Sequence, residues 1–140
     1  MRGREASALG AWLAALAAVV ALLTAGCSAS KSPFARQAGD AGEEFAAAAI
    51  TLRDLHEGRL TRAYAQSSFV NFEKAVGDVP EQLPKASGHP DPGALQHLLD
   101  LYRPASRAVA EPCLDAGCDW QGQVAALEAA SKAFIEAGGG

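Results

Sequence analysis

The residues of this 140-residue chain whose types can support chemistry are three cysteines, three histidines and a Ser67-Ser68 pair. Cys113 and Cys118 stand in a C-x₄-C spacing, which is not the C-x-x-C of thiol oxidoreductases. A metal held by this pair alone lacks further ligands, because no histidine lies nearby in sequence. No glutamate is followed by a histidine three residues on, so the ligand pattern of di-iron helical bundles is missing. There is no C-x-x-C-H, and the only methionine is Met1, which leaves covalent haem without its attachment and axial ligands. His56, His89 and His97 contain no H-x-x-x-H pair. His56 reads as an imidazolium near a helix end, in favourable interaction with the carbonyl dipole, or as plain surface. A weak Zn²⁺ or Cu²⁺ site would require His97 to meet His56 across a bundle. His89 lies among prolines and reads as solvent-exposed. Ser67 and Ser68 have no G-x-S-x-G around them and no partnering base, and with Asn71 they read as the polar side of a helix. No strand–Gly-rich–helix unit is present to cradle phosphate. The residues therefore predict no enzyme, no catalytic group, no metal and no cofactor.

The clearest signal lies in the first 27 residues. Arg2 and Arg4 precede 25 consecutive uncharged residues, Ala6 to Ser30, rich in Ala, Leu and Val. A basic start, an apolar middle and small residues before a cleavage point make a secretory signal. The run ends in Leu23-Thr24-Ala25-Gly26-Cys27, which resembles the lipobox of bacterial lipoproteins, with Thr24 where that pattern most often has Leu. The resemblance implies thioether attachment of diacylglycerol to Cys27, cleavage after Gly26 and acylation of the new amino terminus. It rests on residues 1–27, about a fifth of the chain, and carries no activity with it. An uncleaved anchor is the alternative, since about 20 apolar residues span a bilayer, as is an ordinary secretion signal with an incidental cysteine.

On the lipoprotein reading, the mature chain is residues 27–140, with 10 basic and 15 acidic side chains, net −5. Such a body is unsuited to nucleic acid and to lying flat on anionic lipid, so the lipid itself is the expected membrane contact. The expected location is the cell envelope, on the extracytoplasmic side. Two acyl chains anchor stably where one binds only marginally. With Cys27 lipidated, Cys113 and Cys118 remain as an even pair where disulfides persist. The expected role of the pair is a structural clip, with Gly117 supplying the turn conformation of the short loop.

The rest of the chain is predicted to be all-α, a small up-and-down four-helix bundle behind an N-terminal signal helix and a flexible tether. The expected division is a signal peptide over 1–26, a tether over 27–39, a bundle domain over 40–137 and a disordered glycine tail over 138–140. Asp40-Ala41-Gly42-Glu43 has the form of a capping box. Phe45, Ala48, Ala49, Leu52 and Leu55 follow it at helical spacing, and Gly58 suits the position past the helix end. Thr61 is the expected cap of a second helix with the stripe Ala65, Phe69, Phe72 and Val76. Residues 78–92 hold four prolines, which predicts a mobile Pro-rich loop with no regular helix. Asp91-Pro92 then caps a third helix carrying Leu95, Leu98, Leu99 and Tyr102, with a kink or restart at Pro104. Asp119 caps the last helix, striped by Trp120, Val124, Leu127, Ser131 and Phe134. Trp120 is expected to pack on the cystine, and Phe34 under the bundle.

Functionally, the sequence favours an interaction or accessory module of the cell envelope with an envelope protein partner. The alternative is small-ligand or metal binding in the bundle, between the Pro-rich loop and the first and third helices. An enzyme is the least supported class.

Overall fold

Ser32 opens the first helix of the computed structural model, which describes residues 31–140. Its Oγ accepts the Ala35 N–H at 3.1 Å, and Pro33 occupies the first turn, where a missing N–H costs nothing. Helix α1 then runs Pro33–His56. The expected start at Asp40 and the expected tether over 27–39 are therefore corrected: residues 33–39 belong to the bundle. Phe34 and Ala38 are buried and extend the apolar face of Phe45 and Leu52 upstream, so packing carries the helix past the capping-box pattern. The expected signal segment, the cleavage point and Cys27 lie outside the described residues.

Asp54 and Gly58 shape the turn that follows. The Asp54 carbonyl accepts the Arg59 N–H at 2.7 Å, and Gly58 adopts φ +74°. Thr61 caps α2 (Arg62–Val76) by accepting the Tyr64 N–H, with Ala65, Phe69 and Val76 turned inward. The Pro-rich segment differs from the expected structureless connection. It forms a one-turn helix, α3 (Val79–Gln82), and a 3₁₀ turn at Leu83–Lys85. Pro80 and Pro84 sit in first-turn positions that need no donor, and Leu83 is fully buried. The Phe34 N–H also donates to the Ser87 carbonyl at 3.2 Å, which ties the segment to the start of α1.

Asp91 caps α4 (Pro92–Ala110), its Oδ1 accepting from Gly93 and Ala94. This helix continues through Pro104 without a restart. Pro104 is exposed and so is Asp100, so the carbonyl that lost its donor faces water rather than the core. Asp119 caps α5 (Trp120–Ala137) through the Gly122 N–H, with Val124, Leu127, Ser131 and Phe134 buried.

The four long helices form an up-and-down bundle in which α1 packs on α2 and most extensively on α5, while α4 closes the ring against α2 and α5. Among the described residues there is no β-strand, only an isolated bridge between Ala116 and Cys118. At the centre, Phe45 meets Tyr102 and Phe134 edge-on, at centroid distances of 5.9 and 5.7 Å. Helix α1 approaches α5 closely at Gly42, where a Cβ would fall 2.8 Å from the Ile135 nitrogen.

The expected disorder of 138–140 is also corrected. Gly139, at φ +76°, donates to the Glu136 carbonyl, and Gly140 donates to that of Ile135. These two bonds are the Schellman ending of a helix, and glycine is what its left-handed residue favours. Gly138 is buried against Gly39, and its own Cβ would fall 2.8 Å from the Gly39 Cα.

Candidate functional site

Two ends of the bundle gather the residues that the sequence singles out. At one end, the α4–α5 connection carries Cys113 and Cys118. Their sulfurs are at disulfide distance and their Cα atoms 5.8 Å apart, within the range a disulfide bridges. Gly117 takes φ +109°, as the short loop requires. Several side chains hold this loop. The Gln123 Oε1 accepts the Cys113 N–H at 2.7 Å while its Nε2 donates to the Glu111 carbonyl at 2.9 Å. Arg62, at the start of α2, pairs with the Asp115 carboxylate.

His56 supplies the contact that sequence reasoning missed. Its Nε2–H donates to the Cys113 carbonyl at 2.7 Å, and its ring stacks on Trp120 with centroids 4.7 Å apart. Trp120 is thus half-buried on His56. The imidazole is a structural strut between α1, the cysteine loop and α5. The only local signal for it was the position of a histidine at a helix end. Its partners lie 57 and 64 residues away.

His97 does not meet His56. It is exposed on α4 and lines a groove at the opposite end of the bundle, where α1 begins and α5 finishes. The cross-bundle pairing that a weak metal site would have required is therefore not formed. Among the described residues, no group of three or more His, Cys, Asp or Glu side chains is placed to hold a metal ion. Ser67 and Asn71 are exposed on α2, and the Ser68 hydroxyl donates to the Tyr64 carbonyl at 3.0 Å.

The groove has a volume of about 480 Å³. Phe34 and Leu98 form its floor, and Ala94, Ala133 and Ala137 its walls. Ser32 and Gly88 meet at its rim, where a Cβ on Gly88 would fall 2.6 Å from the Ser32 Cβ. Among the described residues, Glu136 and His97 are the ionisable groups that line it. A hollow of about 400 Å³ between α2 and α4 is more polar, bordered by Glu73, Tyr102, Arg103 and Arg107. In that region the Tyr102 hydroxyl donates to the Val76 carbonyl at 2.8 Å. Burial raises the Tyr102 phenol above its ordinary range, Ser106 opposes the shift, and the charge of Asp78 adds to it.

Elsewhere Tyr64 and Val70 on α2 and Ile50 on α1 are large apolar side chains facing water. No helix of the described residues is long and apolar enough to cross a membrane. No protein-family model, curated protein or solved structure matches this chain.

Proposed function

We propose that this chain is a lipid-anchored binding module of a bacterial cell envelope, held on the extracytoplasmic side through Cys27. The reading rests on the basic start, the apolar run and Gly26-Cys27 at its end. A cysteine pair at disulfide distance suits an oxidising compartment. The observation that carries the reading furthest is the start of α1. Ser32 caps that helix only five residues beyond Cys27. Five extended residues reach about 17 Å at most, so an anchored bundle stands with this end at the lipid headgroups. The groove opens at that same end. The exposed apolar side chains of α2 are available for an envelope protein partner.

Replacing Cys27 by Ser tests the anchor. The variant should leave the membrane fraction or accumulate as unprocessed precursor. Full membrane retention with an unchanged mature mass would contradict the proposal.

A further inference from the structure

We propose that the groove between the start of α1, the Pro-rich segment, α4 and the end of α5 receives one acyl chain of a membrane phospholipid. This inference rests on the lipid-anchored reading, which puts that end of the bundle at the bilayer surface. The groove volume of about 480 Å³ falls within the range of small-molecule sites, roughly 300–1,000 Å³. Its floor and walls are the hydrocarbon side chains of Phe34, Leu98, Ala133 and Ala137. Among the described residues no lysine or arginine lines it, and Glu136 at its edge repels an anionic head. The polar lining groups, Ser32, His97 and Glu136, are half-buried or exposed, so they lie toward the mouth, and the buried lining of Phe34 and Leu98 offers no donor to a carboxylate or a phosphate inside. The occupant is held by hydrocarbon contact alone, and its headgroup stays outside at the membrane interface.

The reach of the chain selects the source. With Cys27 fixed in the bilayer, Ser32 at the groove rim stays within about 17 Å of the attachment point. Membrane lipid is then the apolar ligand present at highest local concentration. An acyl chain seated between α4 and α5 also adds a non-covalent contact to the covalent anchor. That contact fixes which face of the bundle points away from the membrane.

The test uses full-length lipidated protein reconstituted in phosphatidylcholine vesicles. These contain a diacyl phosphatidylcholine with a diazirine near the end of one acyl chain. After irradiation and proteolysis, label is expected on the peptides that carry Leu98 and Ala133. Ala133→Trp fills the groove and should remove most of that label while leaving label near Cys27 unchanged. Ala94→Trp, at an exposed wall position, serves as a second variant that does not burden the core, and it should act the same way. Absence of label from both peptides, or label unaffected by Ala94→Trp, would overturn the proposal. So would crosslinking of the groove to a second copy or to another protein in place of lipid. Retention on the vesicles with no groove label removes the groove proposal alone. Failure of retention removes the anchor and the groove together.

Discussion

The imidazole of His56 lies flat on the indole of Trp120, the two planes within 4° of parallel and the centroids 4.7 Å apart. One ring ends α1 and the other begins α5, so the stack fastens the two helices that share the largest interface. The same imidazole holds the Cys113 carbonyl. His56→Ala removes an aromatic contact of about 0.5–1.5 kcal/mol and a hydrogen bond of similar size, so a loss of about 1–3 kcal/mol is expected. His56→Phe keeps the stack and should lose about 1 kcal/mol, the hydrogen bond alone. Urea unfolding followed by Trp120 emission measures both, since the only other tryptophan, Trp12, lies in the expected signal peptide. Equal stability of the two variants would show that the stack contributes nothing.

Glycine at 42 and glycine at 39 are expected to respond oppositely to alanine. At Gly42 a Cβ would strike the Ile135 backbone nitrogen at 2.8 Å, and backbone cannot swing aside. Gly42→Ala should destabilise by about 1–3 kcal/mol, against the better helix propensity of Ala. At Gly39 the nearest atom to a Cβ is the Gly138 Cα at 3.9 Å, an ordinary contact. Gly39→Ala should therefore be neutral or stabilising by up to about 1 kcal/mol. Thermal unfolding of the two variants decides the matter, and a stabilising Gly42→Ala would refute the close α1–α5 approach.

The bundle's tolerance of alkali is expected to depend on Tyr102. Burial raises its phenol above the ordinary value of 10.0, against the opposing effect of Ser106. A raised acid is more stable protonated in the folded state, so its contribution is fully present below pH 10.0 and is lost as pH climbs through the folded pKa. Tyr102→Phe abandons the bond to the Val76 carbonyl and should cost about 1–2 kcal/mol near neutrality. Above pH 10.0 the gap between wild type and Tyr102→Phe should shrink. A gap that stays constant, or widens, through that range would contradict the buried-phenol account.

Much of this fold was legible because its signals are local. Thr61, Asp91 and Asp119 each cap a helix through an N–H two or three residues ahead, a contact that residue type and spacing alone specify. The same logic misplaced the start of α1. Asp40-x-x-Glu43 has the form of a cap, yet Ser32-Pro33 is also a cap, and the burial of Phe34 decided between them. The glycine tail was misread for a related reason. Glycine frays a chain that has nothing to pack on, but Gly138 has Gly39, a partner far away in sequence. The two candidate sites were legible only in part: the alternative ligand site was expected between the Pro-rich loop and the first and third helices, but without the contribution of the last helix. The His56–Trp120 stack joins residues separated by a helix, a Pro-rich segment and another helix. The groove draws its lining from the start of α1, the Pro-rich segment, α4 and the end of α5. The stack and the part that α5 plays in the groove do not follow from spacing.

Cys113 and Cys118 are expected to be oxidised in protein recovered from the envelope, with a mass two hydrogens below that of the free thiols. Closing so short a loop contributes roughly 2 kcal/mol on the chain-entropy model, and Cys118→Ser should lose about that much. Free thiols in freshly isolated protein would exclude the clip.

Lipidation of Cys27 is read from the intact mass of protein extracted from the membrane fraction. The expected species is a polypeptide beginning at Cys27 and heavier than residues 27–140 by a diacylglyceryl group, with or without a further acyl chain on its amino terminus. A mature chain that begins elsewhere, or one that begins at Cys27 without added lipid, would contradict it.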